Sequence, residues 1–157
     1  MSVWSVVTRR SALRLGLAGA VLPLASGMPG RARADTRPPV VVWKDANCGC
    51  CEGWVRHMRD AGFGVTVRDV ADMAVIKRAR NVPESLQSCH TAVVGGYVIE
   101  GHVPASDIKR LIAEQPTANG LAVPGMSQSA PGMDQPGEPY KVVLFGTPTG
   151  DRPYAEH

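Results

Sequence analysis

Residues 40–62 read VVVWKDANCGCCEGWVRHMRDAG. The apolar run at 40–43 is typical of a short buried strand. Apolar residues then recur near helical spacing from 52 to 61, and Gly62 is a stop signal for that helix. Between the two elements, residues 48–51 place three thiols within four positions. The stretch therefore predicts a strand, a chemically specialised turn and a helix.

Outside this stretch, strands and helices continue to alternate. Gly95-Gly96 is a two-residue turn signal between two short strands. The predicted class is α/β, with the order β-α-β-α-β-β-α followed by a Pro/Gly-rich loop and an additional C-terminal strand. The expected later strands are 65–67, 91–94, 97–99 and 140–145, and the expected later helices are 73–81, which Asp72 can cap, and 105–114.

This order, with a cysteine motif between the first strand and the first helix, resembles the thioredoxin fold. In proteins of that fold, the residue just before the hairpin is usually a cis-proline that faces the active site. Cys89-His90 occupies that place here. The resemblance implies that Cys89 lies close to the 48–51 motif.

The first 34 residues predict an export signal, of the twin-arginine type. Arg9 and Arg10 precede a mild apolar stretch, and Ala32-Arg33-Ala34 offers a small-x-small cleavage site. An ordinary secretory signal is the alternative. The apolar stretch is too short and too interrupted by Pro and Gly to act as a membrane anchor. The mature protein is therefore expected in the periplasm, cleaved after about Ala34 and free of the membrane.

The charge of the chain depends on this leader, which holds five arginines and no acidic residue. The mature part keeps 12 Lys and Arg residues against 14 Asp and Glu residues, so nothing in it suggests a nucleic-acid partner. Its length suits one domain. We expect a thioredoxin-like core at 35–115 and, at 116–157, a methionine-containing loop and a strand that pack on the same domain.

The four cysteines are the candidate functional residues. Cys48 and Cys51 have the C-x-x-C spacing of a redox pair and are the candidate catalytic residues, while Cys50 adds a sulfur that a dithiol oxidoreductase does not need. With Cys89 nearby, the four sulfurs favour a soft metal such as Cu(I). Zinc is less well matched, because its structural sites use more widely spaced cysteine pairs. Two structural disulfides are also disfavoured, because such clustered cysteines can close at most one long loop.

Further candidate ligands lie outside the cysteine motif. Met126 and Met133 each end a Pro-Gly-Met sequence in the Pro/Gly-rich loop, where their thioethers are either copper ligands or gap-filling core side chains. His90 follows Cys89 and is either a ligand or a structural residue. His102 lies in a Gly-His-Val-Pro turn and is expected to hydrogen-bond the loop, and His57 is expected to lie on a solvated helix face.

Five ordered motifs closely resemble the CopG-type periplasmic copper-handling proteins. The motifs are CGCC at 48–51, SCHT at 88–91, GHVPA at 101–105, GLAVPGM at 120–126 and PGM at 131–133. The resemblance covers essentially the whole mature chain. It implies a thioredoxin-like fold, a periplasmic location, copper bound through the clustered cysteines and a role in copper resistance.

The favoured interpretation is a periplasmic protein that holds Cu(I), as a thiolate-bridged multinuclear site in Cys48, Cys50, Cys51 and Cys89. Redox activity between Cu(I) and Cu(II) is a further hypothesis, which would make the protein a copper oxidoreductase. A copper-free thiol-disulfide oxidoreductase that uses Cys48 and Cys51 is one alternative. The other is a passive module that delivers copper to an exporter or to a periplasmic copper oxidase.

Overall fold

The computed structural model describes residues 37–157. The expected export signal at 1–34 lies outside the described residues. Within 37–157, no helix has the length and apolar character needed to cross a bilayer. The elements are β1 (Val40–Lys44), α1 (Gly49–Asp60), β2 (Val65–Asp69), α2 (Met73–Ala79), a 3-10 turn (Glu84–Leu86), β3 (Thr91–Val94), β4 (Tyr97–Glu100), α3 (Ala105–Glu114), β5 (Gly120–Ala122), β6 (Lys141–Phe145) and β7 (Arg152–Glu156).

The seven strands form a single sheet in the order β2-β1-β3-β4-β5-β6-β7. Strand β1 pairs in parallel with β2 and antiparallel with β3, so it is buried between them. In the β1–β3 register Trp43 lies opposite Thr91. The end of β1 and the start of β3 therefore lie side by side. The 48–51 motif follows this end of β1, and Cys89 precedes this start of β3.

Helix α1 begins at Gly49, three residues earlier than the sequence pattern suggested. Cys50 and Cys51 therefore belong to its first turn. Its buried apolar residues include Trp54 and Met58, which pack with Ile108 of α3 in the core. The indole Nε1–H of Trp54 donates to the Val103 carbonyl at 2.9 Å. This packing fixes how the helix presents its N-terminus.

The other predicted elements are present with small changes at their ends. Asp72 caps α2 as expected, accepting from the Ala74 N–H at 2.8 Å. Helix α3 covers the expected residues. Gly95 and Gly96 join β3 to β4 with φ of 56° and 89°, which favours glycine at both positions. The α/β class is thus confirmed, while the thioredoxin-like assignment stays a prediction.

Two strands were missed by the sequence patterns. The segment at 116–139 was expected to contain no strand, and this expectation is wrong, because β5 pairs with both β4 and β6. Gly120 allows the pairing, since a Cβ there would come 2.6 Å from the Val98 carbonyl carbon. Strand β7 was missed because Pro153 reads as a strand breaker, but it lies at an edge of the sheet, where proline is tolerated.

Candidate metal centre

Three of the four cysteines lie at the N-terminus of α1. Cys48 is the N-cap residue, and Cys50 and Cys51 follow in the first turn. Cys51 is fully buried, whereas Cys48 and Cys50 are half-buried. A helix N-terminus carries unpaired N–H groups and the positive end of the helix dipole, which favour the thiolate form of cysteine. The local structure therefore suits an anionic sulfur cluster.

Cys89 completes this cluster from the other side. It lies two residues before β3, at the sheet edge where β1 ends. Its Sγ lies 3.9 Å from the Sγ of Cys50, which in turn lies 3.6 Å from the Sγ of Cys48. All four cysteine sulfurs lie within 4.8 Å of one another. The structure thus brings together the four cysteines that the sequence singled out.

Cys48 and Cys51 form a disulfide, while Cys50 and Cys89 are free thiols. The disulfide joins the two cysteines of the C-x-x-C spacing. Adding two electrons and two protons to it would release two more thiols at the same place. The site therefore has an oxidised form with two free sulfurs and a reduced form with four.

Two histidines approach the Cys89 sulfur. His90 Nδ1 lies 3.3 Å from the Cys89 Sγ, and His102 Nε2 lies 3.1 Å from it. Cys89, His90 and His102 form a second group whose potential ligand atoms all lie within 4.8 Å. His90 is fully buried and His102 is 1% exposed. Cys89 is therefore shared between an all-sulfur group and a mixed sulfur–nitrogen group.

Burial determines the protonation preferences of this second group. It raises the pKa of the Cys89 thiol to about 12, with the neighbouring Cys50 as a second cause. It also lowers the pKa of His102 and holds the pKa of His90 well below its usual value, where His102 and Lys77 add to the effect. Without metal, the group is thus a neutral thiol beside two neutral imidazoles. A metal cation would displace the thiol proton, which couples metal binding to proton release.

A buried ion pair supports the segment that contains Cys89 and His90. Lys77 Nζ of α2 donates to Glu100 Oε1 of β4, and both side chains are almost inaccessible to solvent. The same carboxylate accepts from the Ser88 N–H at 2.7 Å and from the Thr91 hydroxyl at 2.6 Å. The residues on both sides of Cys89-His90 are therefore tied to one buried carboxylate. Sequence reasoning missed this pair, since neither residue stands in a motif.

The Pro/Gly-rich loop packs against α1 next to the cysteine cluster. The Pro131 carbonyl accepts from His102 Nδ1 at 2.8 Å, and Gly132 lies against Gly53 of α1. Met126 is 48% exposed, and Met133 is half-buried in the same loop. The role of the two thioethers as metal ligands stays a prediction.

Two histidines make contacts that the sequence analysis did not predict. His102 hydrogen-bonds a loop, as expected, but its other nitrogen faces Cys89. His57 was expected on a solvated face, and this was wrong: it is half-buried, and its Nε2 accepts from the Ala105 N–H at 3.0 Å. Neither contact has a local sequence signal, because each joins residues that are distant in the chain.

The donor set fits copper. Thiolate sulfur is a soft ligand that favours Cu(I), and imidazole nitrogen also suits copper. Once the disulfide is reduced, the metal would be held by Cys48, Cys50, Cys51 and Cys89. The group of His90 and His102 adjoins these ligands because it shares Cys89 with them. Copper bound there would offer a centre able to change oxidation state by one electron.

Comparison with known proteins finds one family model and two solved structures that resemble this chain. A family model described as "Protein of unknown function, DUF411" matches residues 86–133. No curated protein matches the chain. The solved structure titled "Copper resistance protein copG- Form 2" is 43% identical, with 76% of this chain and 98% of that chain covered and a TM-score of 0.72. "Copper resistance protein copG- Form 1" is 44% identical over the same shares, with a TM-score of 0.71. The chain therefore belongs to the CopG-type family of copper-handling proteins.

Proposed function

We propose that this protein binds Cu(I) in the periplasm through Cys48, Cys50, Cys51 and Cys89 and acts in copper resistance. The observation that carries the proposal is the convergence of four cysteine sulfurs within 4.8 Å at a helix N-terminus. Four soft donors at this separation match the preference of Cu(I). The titles of the two solved relatives name copper resistance, which supports the same role.

The periplasmic location and the thioredoxin-like fold belong to the same proposal. The twin arginines and the Ala32-Arg33-Ala34 cleavage site support export. The strand order β2-β1-β3-β4, with the cysteines between β1 and α1, supports the thioredoxin-like arrangement. In this arrangement Cys89 takes the position just before the hairpin, opposite the 48–51 motif.

The close sulfurs favour more than one copper ion. The Cys50 sulfur lies 3.6 Å from that of Cys48 and 3.9 Å from that of Cys89. Once the disulfide is reduced and these sulfurs are thiolates, they would repel one another at such distances, and cations shared between them would reduce this repulsion. Bridging by sulfur would place several Cu(I) ions in one thiolate cluster. The proposed additional ligands at the border of this cluster are His90, Met126 and Met133.

Copper uptake by the reduced protein tests the proposal. The anaerobically reduced protein should take Cu(I) from a competing chelator, and X-ray absorption should show sulfur ligands and a short copper–copper distance. Cys50→Ser and Cys89→Ser should each lower the amount bound. A matched control is Ser85→Ala, which changes an exposed side chain of the 3-10 turn and leaves all four sulfurs in place. A reduced, folded protein that takes up no Cu(I) would rule the proposal out.

The Cys48–Cys51 disulfide favours a second candidate, which is redox activity. If both thiols transfer one electron each to Cu(II), two Cu(II) become two Cu(I), one disulfide forms and two protons leave. The alternative is a copper-free thiol-disulfide oxidoreductase that uses the same pair. In that case Cys48→Ser abolishes activity while Cys50→Ser and Cys89→Ser retain it; equal losses favour the copper centre. Voltammetry of the copper-loaded protein should show a reversible step in the redox-active case and none in a passive carrier.

Delivery of Cu(I) to an exporter or to a periplasmic copper oxidase is a further use of the same site. The half-buried Cys48 and Cys50 leave the cluster partly open to solvent, which ligand exchange with a partner requires. Transfer of copper from loaded protein to a purified acceptor, followed by size separation, measures this step. No transfer to either class of acceptor would exclude a delivery role.

A further inference from the structure

The orientation of the His102 ring is set by a hydrogen bond on the side away from Cys89. His102 Nδ1 lies 2.8 Å from the Pro131 carbonyl oxygen, which can only accept, so Nδ1 bears the ring proton. In the neutral ring, the Nε2 atom then keeps its lone pair, and it lies 3.1 Å from the Cys89 Sγ. Metal-binding histidines commonly donate their second nitrogen to a carbonyl in this way. His102 thus has the arrangement of a ligand before any metal is bound.

His90 provides the second independent observation. Its Nε2 is the one buried side-chain nitrogen or oxygen, among residues 37–157, that has no hydrogen-bond partner. A buried polar atom without a partner is unfavourable, because it loses its hydrogen bond to water on folding, so it calls for a physical reason. The ring is held between Trp54, at 4.5 Å between ring centroids, and His102, at 5.0 Å. The other ring nitrogen, Nδ1, lies 3.3 Å from the Cys89 Sγ. A rigid imidazole with one nitrogen at the thiol and the other without a hydrogen-bond partner suits a metal ligand.

We propose that Cys89, His90 and His102 form a second metal position, which shares the Cys89 sulfur with the four-cysteine position. The Cys48–Cys51 disulfide removes two sulfurs from the four-cysteine position but none from this one. Cys50, at 3.9 Å from Cys89, remains a free thiol and is available as a fourth ligand. The oxidised protein therefore keeps a place for a metal.

The ligand set indicates which metals this position takes. One thiolate with two imidazoles suits Cu(II), Zn(II) or Co(II) better than the all-sulfur set does. The second metal position thus extends the proposed copper function. It rests on that function only for the identity of the metal that is bound naturally. A Cu(II) ion that meets the oxidised protein would therefore find nitrogen ligands beside the shared sulfur.

Co(II) is a suitable probe, because thiolate coordination to it produces strong near-ultraviolet absorption. The Cys48→Ser/Cys51→Ser variant, kept reduced, should bind about one equivalent of Co(II) with this absorption, and X-ray absorption should show both nitrogen and sulfur neighbours. His102→Gln in the same background should weaken binding by at least about 10–100-fold. His157→Gln, which alters a histidine of neither metal group, is the matched control.

A second measurement guards against misfolding of the double variant. Wild-type protein with the Cys48–Cys51 disulfide closed, and two free thiols verified by titration, should bind Co(II) in the same way. The proposal is overturned if neither form binds Co(II), or if His102→Gln binds it as tightly as its parent. In both cases His102 only hydrogen-bonds the Cys89 thiol. Cu(I) uptake by the reduced wild type tests the proposed function separately, so the two failures remain distinguishable.

Discussion

Gly53 of α1 and Gly132 of the Pro/Gly-rich loop are in backbone contact. A Cβ at Gly53 would come 2.8 Å from the Gly132 Cα, and a Cβ at Gly132 would come 2.9 Å from the Trp54 Cα. Real side chains do not approach a backbone so closely. The pair of glycines thus lets the loop lie directly on the helix that presents the cysteines, and holds the Pro131 carbonyl where His102 reaches it.

Gly53→Ala should therefore displace the loop from α1. Overpacking of this kind costs about 1–3 kcal/mol of unfolding free energy, measurable by urea denaturation. Hydrogen exchange at 128–135 should increase at the same time. Gly49→Ala is the matched control, since it lies in the same helix and a Cβ there meets nothing within 4 Å. Equal behaviour of the two variants would contradict a tight helix–loop contact.

Gly120→Ala should detach β5 from β4. Its Cβ would come 2.6 Å from the Val98 carbonyl carbon, inside the parallel ladder that adds the C-terminal strands to the sheet. We expect a loss of about 1–3 kcal/mol in unfolding free energy and faster amide exchange in β5 and β6. Gly64→Ala is the control, because nothing lies within 4 Å of its added Cβ. A fully stable Gly120→Ala protein would show that the ladder tolerates a side chain.

Lys77→Met should leave the Glu100 carboxylate buried without its ion partner. Breaking a buried pair from one side costs about 3–5 kcal/mol, which thermal and urea unfolding can measure. Replacing both partners, in Lys77→Met/Glu100→Leu, should recover part of this loss, because no charge is then left buried. The double variant should still weaken Cu(I) binding, since the Ser88 N–H and the Thr91 hydroxyl lose their shared acceptor. Unchanged Cu(I) affinity would mean that Cys89 needs no such support.

His57 should make the protein less stable in mild acid. Burial lowers its pKa in the folded state below the ordinary value of 6.5, with Asp134 and Asp60 opposing the shift. Its neutral Nε2 accepts from the Ala105 N–H at the start of α3, and protonation would remove this acceptor. Stability from His57 is thus present above pH 6.5 and is lost as the pH falls through the folded-state pKa, because the unfolded chain then binds more protons.

The measurement is the unfolding free energy of metal-free protein between about pH 7 and pH 5. His57→Gln should lower stability at pH 7 by about 1 kcal/mol, the usual value of a helix cap, and should flatten the decline toward acid. Identical slopes in the variant and the wild type would show that His57 does not titrate differently in the folded chain.

Closing the Cys48–Cys51 disulfide should weaken Cu(I) binding by orders of magnitude. Two of the four sulfurs are then bonded to each other and cannot serve as thiolate ligands. Chelator competition on the oxidised protein, and again after reduction and removal of the reductant, measures the difference. The Cys48→Ser/Cys51→Ser variant should bind Cu(I) weakly under both conditions. Equal affinity of the two wild-type states would exclude these cysteines as ligands.

Much of the arrangement could be predicted because its signals are local. Three thiols within four residues identify the site, hydrophobic periodicity identifies α1 and α3, and Gly95-Gly96 identifies the hairpin. In each of these cases the sequence neighbours of a residue determine its structure. The place of Cys89 was expected instead from the resemblance to the thioredoxin fold, and in the structure the start of β3 lies beside the end of β1.

The tertiary structure decided the contacts between segments that are distant in the chain. His102 reaches Cys89 because the Pro131 carbonyl holds its ring, and that carbonyl is in place because two glycines let the loop touch α1. The Lys77–Glu100 pair and β5 depend on the same kind of long-range packing. Periodicity and motif spacing describe residues near in sequence, so they identify the 48–51 motif and the Cys89-His90 pair. His102 is brought to Cys89 only when helix, sheet and loop pack together.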